Sequence, residues 1–466
     1  MKRPPARISL AEWNVLHGEL RAAGLQEPSY GGPLGRHVAD GDLRLLRLRF
    51  DNSVASLQLW NFLLTEEERL HAARAAGHQI VGTMKDLGTI PVIAYSLPRV
   101  TAFYPDGAWW IPCIMELSAG LLGIADSLGI DESFCPVRAM LGAFETGEHF
   151  PEPDLLTCSV GAVCDDFSAI AQRLQGMGRE ILWWEVPRRR PPGPDEEPIT
   201  LPGGAQAGAA QVARVRSELQ RVGGALSELA GHPLTNDILR SGIRVANRVR
   251  AILAELREIA FSAPLAPMPA LELLVAEMMA LHFCSDRVGV IEVLEALLQE
   301  TRSRVAAGTG YGESDDARVF WVNPVADLEV MNLLEDCGGR VCGTDYLFTH
   351  ALDAIPEDLH PYEALARMAL ADPMVGSAAE RARRIARDAR RFGSEAVLIS
   401  RIPGASHCAL EGAIIADVIR EELGVPTIEI EVPPVSDSLS PALKTRISAL
   451  VETVKAGRSP RCTAQE

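Results

Sequence analysis

No apolar run in this chain approaches the roughly 18 residues needed to span a bilayer. The opening residues, MKRPPARISLAEW, lack the apolar core of a signal peptide. A cytoplasmic protein is therefore expected. In such a reducing compartment the nine cysteines stand as free thiols, catalytic groups or metal ligands rather than disulfides. Positive charge is in deficit: 45 Lys and Arg against 62 Asp and Glu leave a net charge of −17. That argues against a nucleic-acid groove or an anionic membrane surface, while leaving room for a local basic pocket for a phosphate-bearing substrate. No G-x-x-x-x-G-K-[ST] occurs, and no G-x-G-x-x-G follows the first strand, so any nucleotide energy is expected from another subunit. The cysteines form no short ferredoxin-like run, and no heptad is sustained.

What the chain does have is one unit written twice. DLLTCSVGAVCDDFSAIAQRLQGMGREILWWEVP runs from Asp154 to Pro187, and EAVLISRIPGASHCALEGAIIADVIREELGVPTIEIEVP from Glu395 to Pro433. Each reads as a short apolar strand, a turn with Gly and Ser, a cysteine, an amphipathic helix and a second strand ending in Glu-Val-Pro. Cys164 and Cys408 both fall where strand gives way to helix, the edge at which open α/β sheets bind ligands. Two cysteines placed alike in two halves suggest one ligand shared between them, and a metal cluster is the natural candidate.

The 466 residues, 47% hydrophobic and 23% charged, suit two or three globular domains. Residues 1–76 read as a helical segment, with helices over LAEWNVLHGELRAAG and SLQLWNFLLTEEERLHAARAAG and the loop SYGGPLGRHVADG between them. Residues 77–204 form a first α/β domain. There HQIVGTMKDLGTIPVIAY reads as two β-branched strand runs, WWIPCIMELSAGLLGIADSLG as a helix, and DESFCPVRAMLGAF as a loop with Cys135 and a helix starting at Pro136. RRRPPGPDEEPITLPGGAQ, from Arg188 to Gln206, reads as an exposed connection. Residues 205–310 are a helical segment of three blocks, 311–456 a second α/β domain, and 457–466 a tail. The fold class expected is α/β: two doubly wound parallel-sheet (Rossmann- or flavodoxin-like) domains with N-terminal and central helical segments.

Cys135, Cys164 and Cys408 each precede or open a helix, where the dipole favours a thiolate and metal ligation. Three such ligands leave one iron of a cluster open. Cys337 and Cys342 form a C-x4-C pair without a second pair, which reads as structural, with Cys342 on a strand. Cys113, Cys284 and Cys158 read as core, and Cys462 lies in the tail. His407 is a proton donor, a ligand or a turn histidine; His149 is an acid, a base or a loop histidine. Asp165 and Asp166 suit the first turn of their helix. The pairs Trp109–Trp110 and Trp183–Trp184 either line an aromatic pocket or pack in the core.

DESFCPVRAMLGAF, PDLLTCSVGAVCDDF and GASHCALEG followed by GVPTIEIEVPP together resemble the benzoyl-CoA reductase / 2-hydroxyacyl-CoA dehydratase family, over most of Ile80 to Val454. Within it the chain is most similar to the larger cluster-bearing subunit, type B or O, of an ATP-dependent benzoyl-CoA reductase. The resemblance implies a [4Fe-4S] cluster, single, double-cubane or shared across an interface, held by Cys135, Cys164 and Cys408. It implies a heterotetramer with a related smaller cluster subunit, ATP-hydrolysing activator subunits with their own cluster, and ferredoxin as electron source. The reaction implied is two-electron reduction of an aromatic acyl-CoA to a cyclic dienoyl-CoA. The resemblance assigns no catalytic residue. The alternatives are a 2-hydroxyacyl-CoA dehydratase subunit, a non-catalytic electron-relay subunit, or a double-cubane protein that reduces small molecules. Dehydratase-type members often carry a carboxylate after the proline of the opening strand–loop. Here Thr89-Ile90-Pro91-Val92-Ile93-Ala94 has none, which favours the reductase.

Overall fold

The computed structural model of the chain describes residues 4–25, 46–107, 120–147, 149–434 and 439–458, with backbone alone at 408 and 409. The N-terminal segment contains strand β1 (Arg7–Ile8), the helix Leu10–Ala22 and strand β2 (Phe50–Asp51), which pairs antiparallel with β1. The single helix expected from Ser56 onward is two, Val54–Leu64 and Glu66–Ala75. Thr65 divides them: its hydroxyl bonds back to the Asn61 carbonyl at 2.5 Å, an interaction that competes with helix continuation. The loop SYGGPLGRHVADG lies outside the described residues.

The first sheet contains β3 (Gln79–Met84), β4 (Val100–Phe103), β5 (Leu155–Gly161) and β6 (Ile181–Val186), all parallel, in the order β4-β3-β5-β6. One expected strand is a helix. TIPVIAY folds as Ile90–Ser96, and VTAF supplies the strand instead. The Asp86 carboxylate accepts from the Thr89 and Ile90 N–H groups at 2.7 and 2.8 Å, and Pro91 sits in the first turn. Six of the seven helix residues are buried, so periodicity could not separate helix from buried strand.

The Pro-rich connection is more than an exposed linker. It carries the hairpin β7 (Pro198–Thr200) and β8 (Gln206–Gly208). Its Arg189 is buried and donates to the Leu370 and Asp372 carbonyls of the second domain. Four helices follow rather than three blocks: Ala209–Ala230, Asn236–Ser262, Ala270–His282 and Arg287–Ala307. The third expected block breaks at Asp286, whose carboxylate caps the last helix through the Val288 and Gly289 N–H groups. Ala270–His282 is buried at every position and acts as a spine. Its Glu272 accepts from Asp51 N–H and Trp60 Nε1 of the N-terminal segment, its Glu277 from Thr344 Oγ1 of the second sheet, and its end lies at the junction of the two domains.

The second sheet repeats the first. β9 (Ala317–Val322), β10 (Gly339–Asp345), β11 (Ala396–Arg401) and β12 (Thr427–Glu431) are parallel in the order β10-β9-β11-β12. Continuous apolar runs, whose side chains point to the two faces in turn, explain its two covered faces. Val319, Trp321, Ala396 and Leu398 point into the main core, while Phe320, Val322, Val397 and Ile399 pack on the helices Ala378–Arg391 and Gly412–Glu422. The two α/β domains expected from the sequence are present.

The duplication reaches backbone detail. Lys85 follows β3 and Asn323 follows β9, both in the left-handed region with φ of 57° and 65°. Ser159 Oγ of β5 donates to the Lys85 carbonyl at 2.6 Å, and Ser400 Oγ of β11 to the Asn323 carbonyl at 2.9 Å. In each sheet the strand order reverses between these parallel strands, and that switch point is where a crevice opens. Among the described residues no helix is long and apolar enough to cross a membrane.

Candidate metal centre

Both switch points open onto one cavity of about 110 Å³. Lys85, Asp86, Val163 and Cys164 reach it from the first sheet; Pro324, Ile402, Ser406 and His407 reach it from the second. Cys135 lines it as well, and Val137, Phe167, Leu281, Phe348 and Ala405 make its wall largely apolar. Cys135 leads into the 3-10 turn Pro136–Arg138 and the helix Ala139–Thr146, with Pro136 in the first helical position as expected. Cys164 is the N-cap of the helix Asp165–Gly176. Cys408 is the third residue of the short helix Ser406–Leu410.

Asp166 fastens the three cysteine-bearing segments together. Its Oδ1 accepts from the Cys135 N–H at 3.4 Å. Its Oδ2 accepts from the Cys164 thiol at 3.2 Å and from the Ser406 N–H at 3.1 Å. Cys164 Sγ also lies 3.5 Å from Ser406 Oγ, a direct contact between domains. Gly404 (φ +77°) allows the approach, because a Cβ there would stand 2.5 Å from the Phe134 carbonyl oxygen. Burial pushes the Cys164 thiol up to about 12, and the Asp166 carboxylate adds to that. The thiol therefore stays neutral until a cation replaces its proton.

A model of the 2-hydroxyglutaryl-CoA dehydratase D-component family matches residues 98–454, well over half of the 466 residues. The chain belongs to this family. No curated protein matches it. Family members are associated with a [4Fe-4S] cluster, and membership implies partner subunits and an activator. The donor chemistry of the cavity fits such a group: the buried thiol of Cys135 and the half-buried thiol of Cys164, neither in a disulfide, face one apolar space whose rim carries the helix of Cys408.

For this family member the structure places the remaining candidates as follows. His407 lines the cavity, with Nδ1 3.4 Å from Ser406 Oγ. His149 precedes β5, whereas Cys164 follows it, and His149 does not line the cavity. Cys158 and Cys342 are buried within β5 and β10, and Cys284 is buried in the turn Phe283–Ser285. Cys337 closes the helix Glu329–Asp336, away from the cavity. Trp184 is buried and Trp183 packs beside it in the core. Cys113, Cys462, Trp109 and Trp110 lie outside the described residues.

Sequence reasoning assigned Asp166 to its helix dipole and missed its junction role. A carboxylate two residues after a helix-capping cysteine is a common first-turn pattern, and only the fold brings Ser406 to it. Asp166→Asn puts an amide donor where N–H donors converge. The metal-free protein should lose about 1.5–3 kcal/mol in urea unfolding, against less than about 0.5 kcal/mol for Asp165→Asn on the exposed side. Equal losses in the two variants would contradict the fastening role.

Proposed function

We propose that this chain is an iron–sulfur subunit of an ATP-dependent aromatic acyl-CoA reductase of the benzoyl-CoA type. The observation that carries the reading is the convergence of Cys135, Cys164 and the Cys408 helix on one cavity between two duplicated domains. Cys135, Cys164 and Cys408 would hold a [4Fe-4S] cluster, which when bound would supply single electrons at low potential. The partners proposed with it are a related smaller cluster subunit, an ATP-hydrolysing activator and ferredoxin.

The chain's own residues fit the demands of ring reduction. An aromatic ring gives up its resonance on reduction, so the electrons must arrive away from water and protons must be at hand. Phe167, Leu281, Phe348 and Ile402 supply apolar wall. Asp106 and Tyr104 line the same cavity. Burial pushes the Asp106 carboxyl up to about 7, with the Glu66 carboxylate adding to it, so Asp106 exchanges its proton near neutral pH. Burial also holds the Tyr104 phenol well above its usual range.

The family description favours a second reading, a 2-hydroxyacyl-CoA dehydratase subunit. The complex, with activator, ATP and reductant under anoxic conditions, separates the two. Benzoyl-CoA turnover with two electrons consumed per product supports the reductase. Turnover of a 2-hydroxyacyl-CoA with only catalytic electrons replaces that reading by the dehydratase.

A further inference from the structure

Lys85 has no role in the ligand set, yet its placement is unusual. It is a side-chain-bearing residue held at φ 57°, a conformation that persists only where surroundings fix it. Ser159 Oγ pins its carbonyl at 2.6 Å. Its side chain turns inward, 5% exposed, and Nζ donates to Ser168 Oγ at 3.0 Å on the helix that Cys164 caps.

The charge balance around Nζ is open. Among the described residues the ammonium has no carboxylate within 4.0 Å. Burial works against its charge, while Cys158 and Cys164 when they are thiolates, and the Asp165 and Asp166 carboxylates, lie near enough to favour it. A buried ammonium without a partner is strongly disfavoured, and this one lines the cavity shared by Cys135 and Cys164. The equivalent position in the second domain is the neutral Asn323, whose side chain is taken up by Arg381 and the Ser400 carbonyl. Among the described residues that line the cavity Lys85 is the one Lys or Arg, and it lies in the domain that brings two cysteines.

We infer that Lys85 is the counter-charge of the metal centre, a positioning residue whose ammonium favours the reduced form of a thiolate-ligated cluster in this cavity. The inference rests on the reading of this site as an iron–sulfur centre. On reduction one electron passes from an external reductant to the centre, whose net charge becomes more negative by one. No bond breaks and Lys85 keeps its protons. A fixed positive charge nearby stabilises that added electron.

The test is an anoxic redox titration of the reconstituted full chain with a titanium(III) reductant, followed by EPR, together with iron content. Lys85→Met should lower the reduced-to-oxidised ratio at a fixed potential about tenfold, equivalent to about 59 mV for one electron. Lys85→Arg should titrate close to the wild type. An iron-loaded Lys85→Met protein that titrates with the wild type overturns the inference alone, as does a Lys85→Arg protein shifted as far as Lys85→Met. Should Lys85→Met bind no iron, Lys85→Arg decides: full iron with an unshifted potential supports the inference, and loss of iron in both overturns it. A wild-type chain that takes up no iron overturns the metal-centre reading and this inference with it.

Discussion

Cys164→Ala should abolish retention of iron while leaving the chain folded. The thiol is neutral in the metal-free protein and contributes only its bonds to Asp166 and Ser406. Asp166 keeps the Cys135 and Ser406 N–H groups, so the junction survives and the cost to stability is on the order of 1 kcal/mol. Iron retention should fall far more, by tenfold or greater, because a three-thiolate centre loses a ligand and its charge. The measurement is iron per chain after anoxic reconstitution and desalting, with circular dichroism as the check on folding. Cys342→Ala is the control: Cys342 sits in β10 beside Ser394, outside the cavity, and its loss should leave iron content unchanged. Equal iron in Cys164→Ala and wild type would remove Cys164 from the ligand set.

Arg381→Met should be the most destabilising single substitution away from the cysteines. Its side chain is fully buried and donates to Asp345 Oδ2 at 2.7 Å, Glu411 Oε2 at 2.8 Å and Asn323 Oδ1 at 2.7 Å. Without it the buried Asp345 is left with His350 as its cationic partner, and the Glu411 that follows the Cys408 helix loses its guanidinium. Breaking a buried pair by removing one partner costs about 3–5 kcal/mol.

The pH dependence carries a definite sign. Burial raises the Asp345 carboxyl, but Arg381 and His350 outweigh it and hold the group well below the usual carboxylate range. Its contribution is therefore present above about pH 3.9, the unfolded value, and is lost as pH falls towards the native one. Burial works against a charged His350, yet Asp345 and Asp372 prevail and raise it. Its contribution is full below about pH 6.5 and fades as pH rises through its native value. Urea unfolding should thus show a wide gap between wild type and Arg381→Met at and above about pH 5, where Asp345 is ionised. The gap should narrow below about pH 4 as Asp345 loses its charge. A gap that widens in acid would contradict this account of the network.

Much of this was legible in the residues. The repeated strand–turn–cysteine–helix–strand unit is the second half of each sheet, down to the Glu-Val-Pro at the ends of β6 and β12. The continuous apolar runs VFWV and AVLI belong to strands covered on both faces. What misled was a fully buried stretch: TIPVIAY has no polar face, so its period was invisible, and a carboxylate three residues upstream decided it as a helix. The place of Cys135 and Cys164 on the cavity was legible, because their flanking turns mark element boundaries. Its charged surroundings were not. Lys85, Asp86, Asp106 and Asp166 belong to segments that read as ordinary turns and first turns. Each gains its role only when the two switch points close on one cavity. Pairing of Asp345 with residues up to 36 positions away is likewise a property of strand order rather than of any local pattern.

The central claim is that the cavity between the duplicated domains holds an iron–sulfur centre on Cys135, Cys164 and Cys408. Iron and sulfide content with the EPR spectrum of the anoxically reconstituted chain tests it most directly. The account predicts about four irons per chain and a low-potential cubane signal that vanishes in each of the three cysteine variants. A colourless, iron-free protein, or a signal indifferent to all three substitutions, would contradict it.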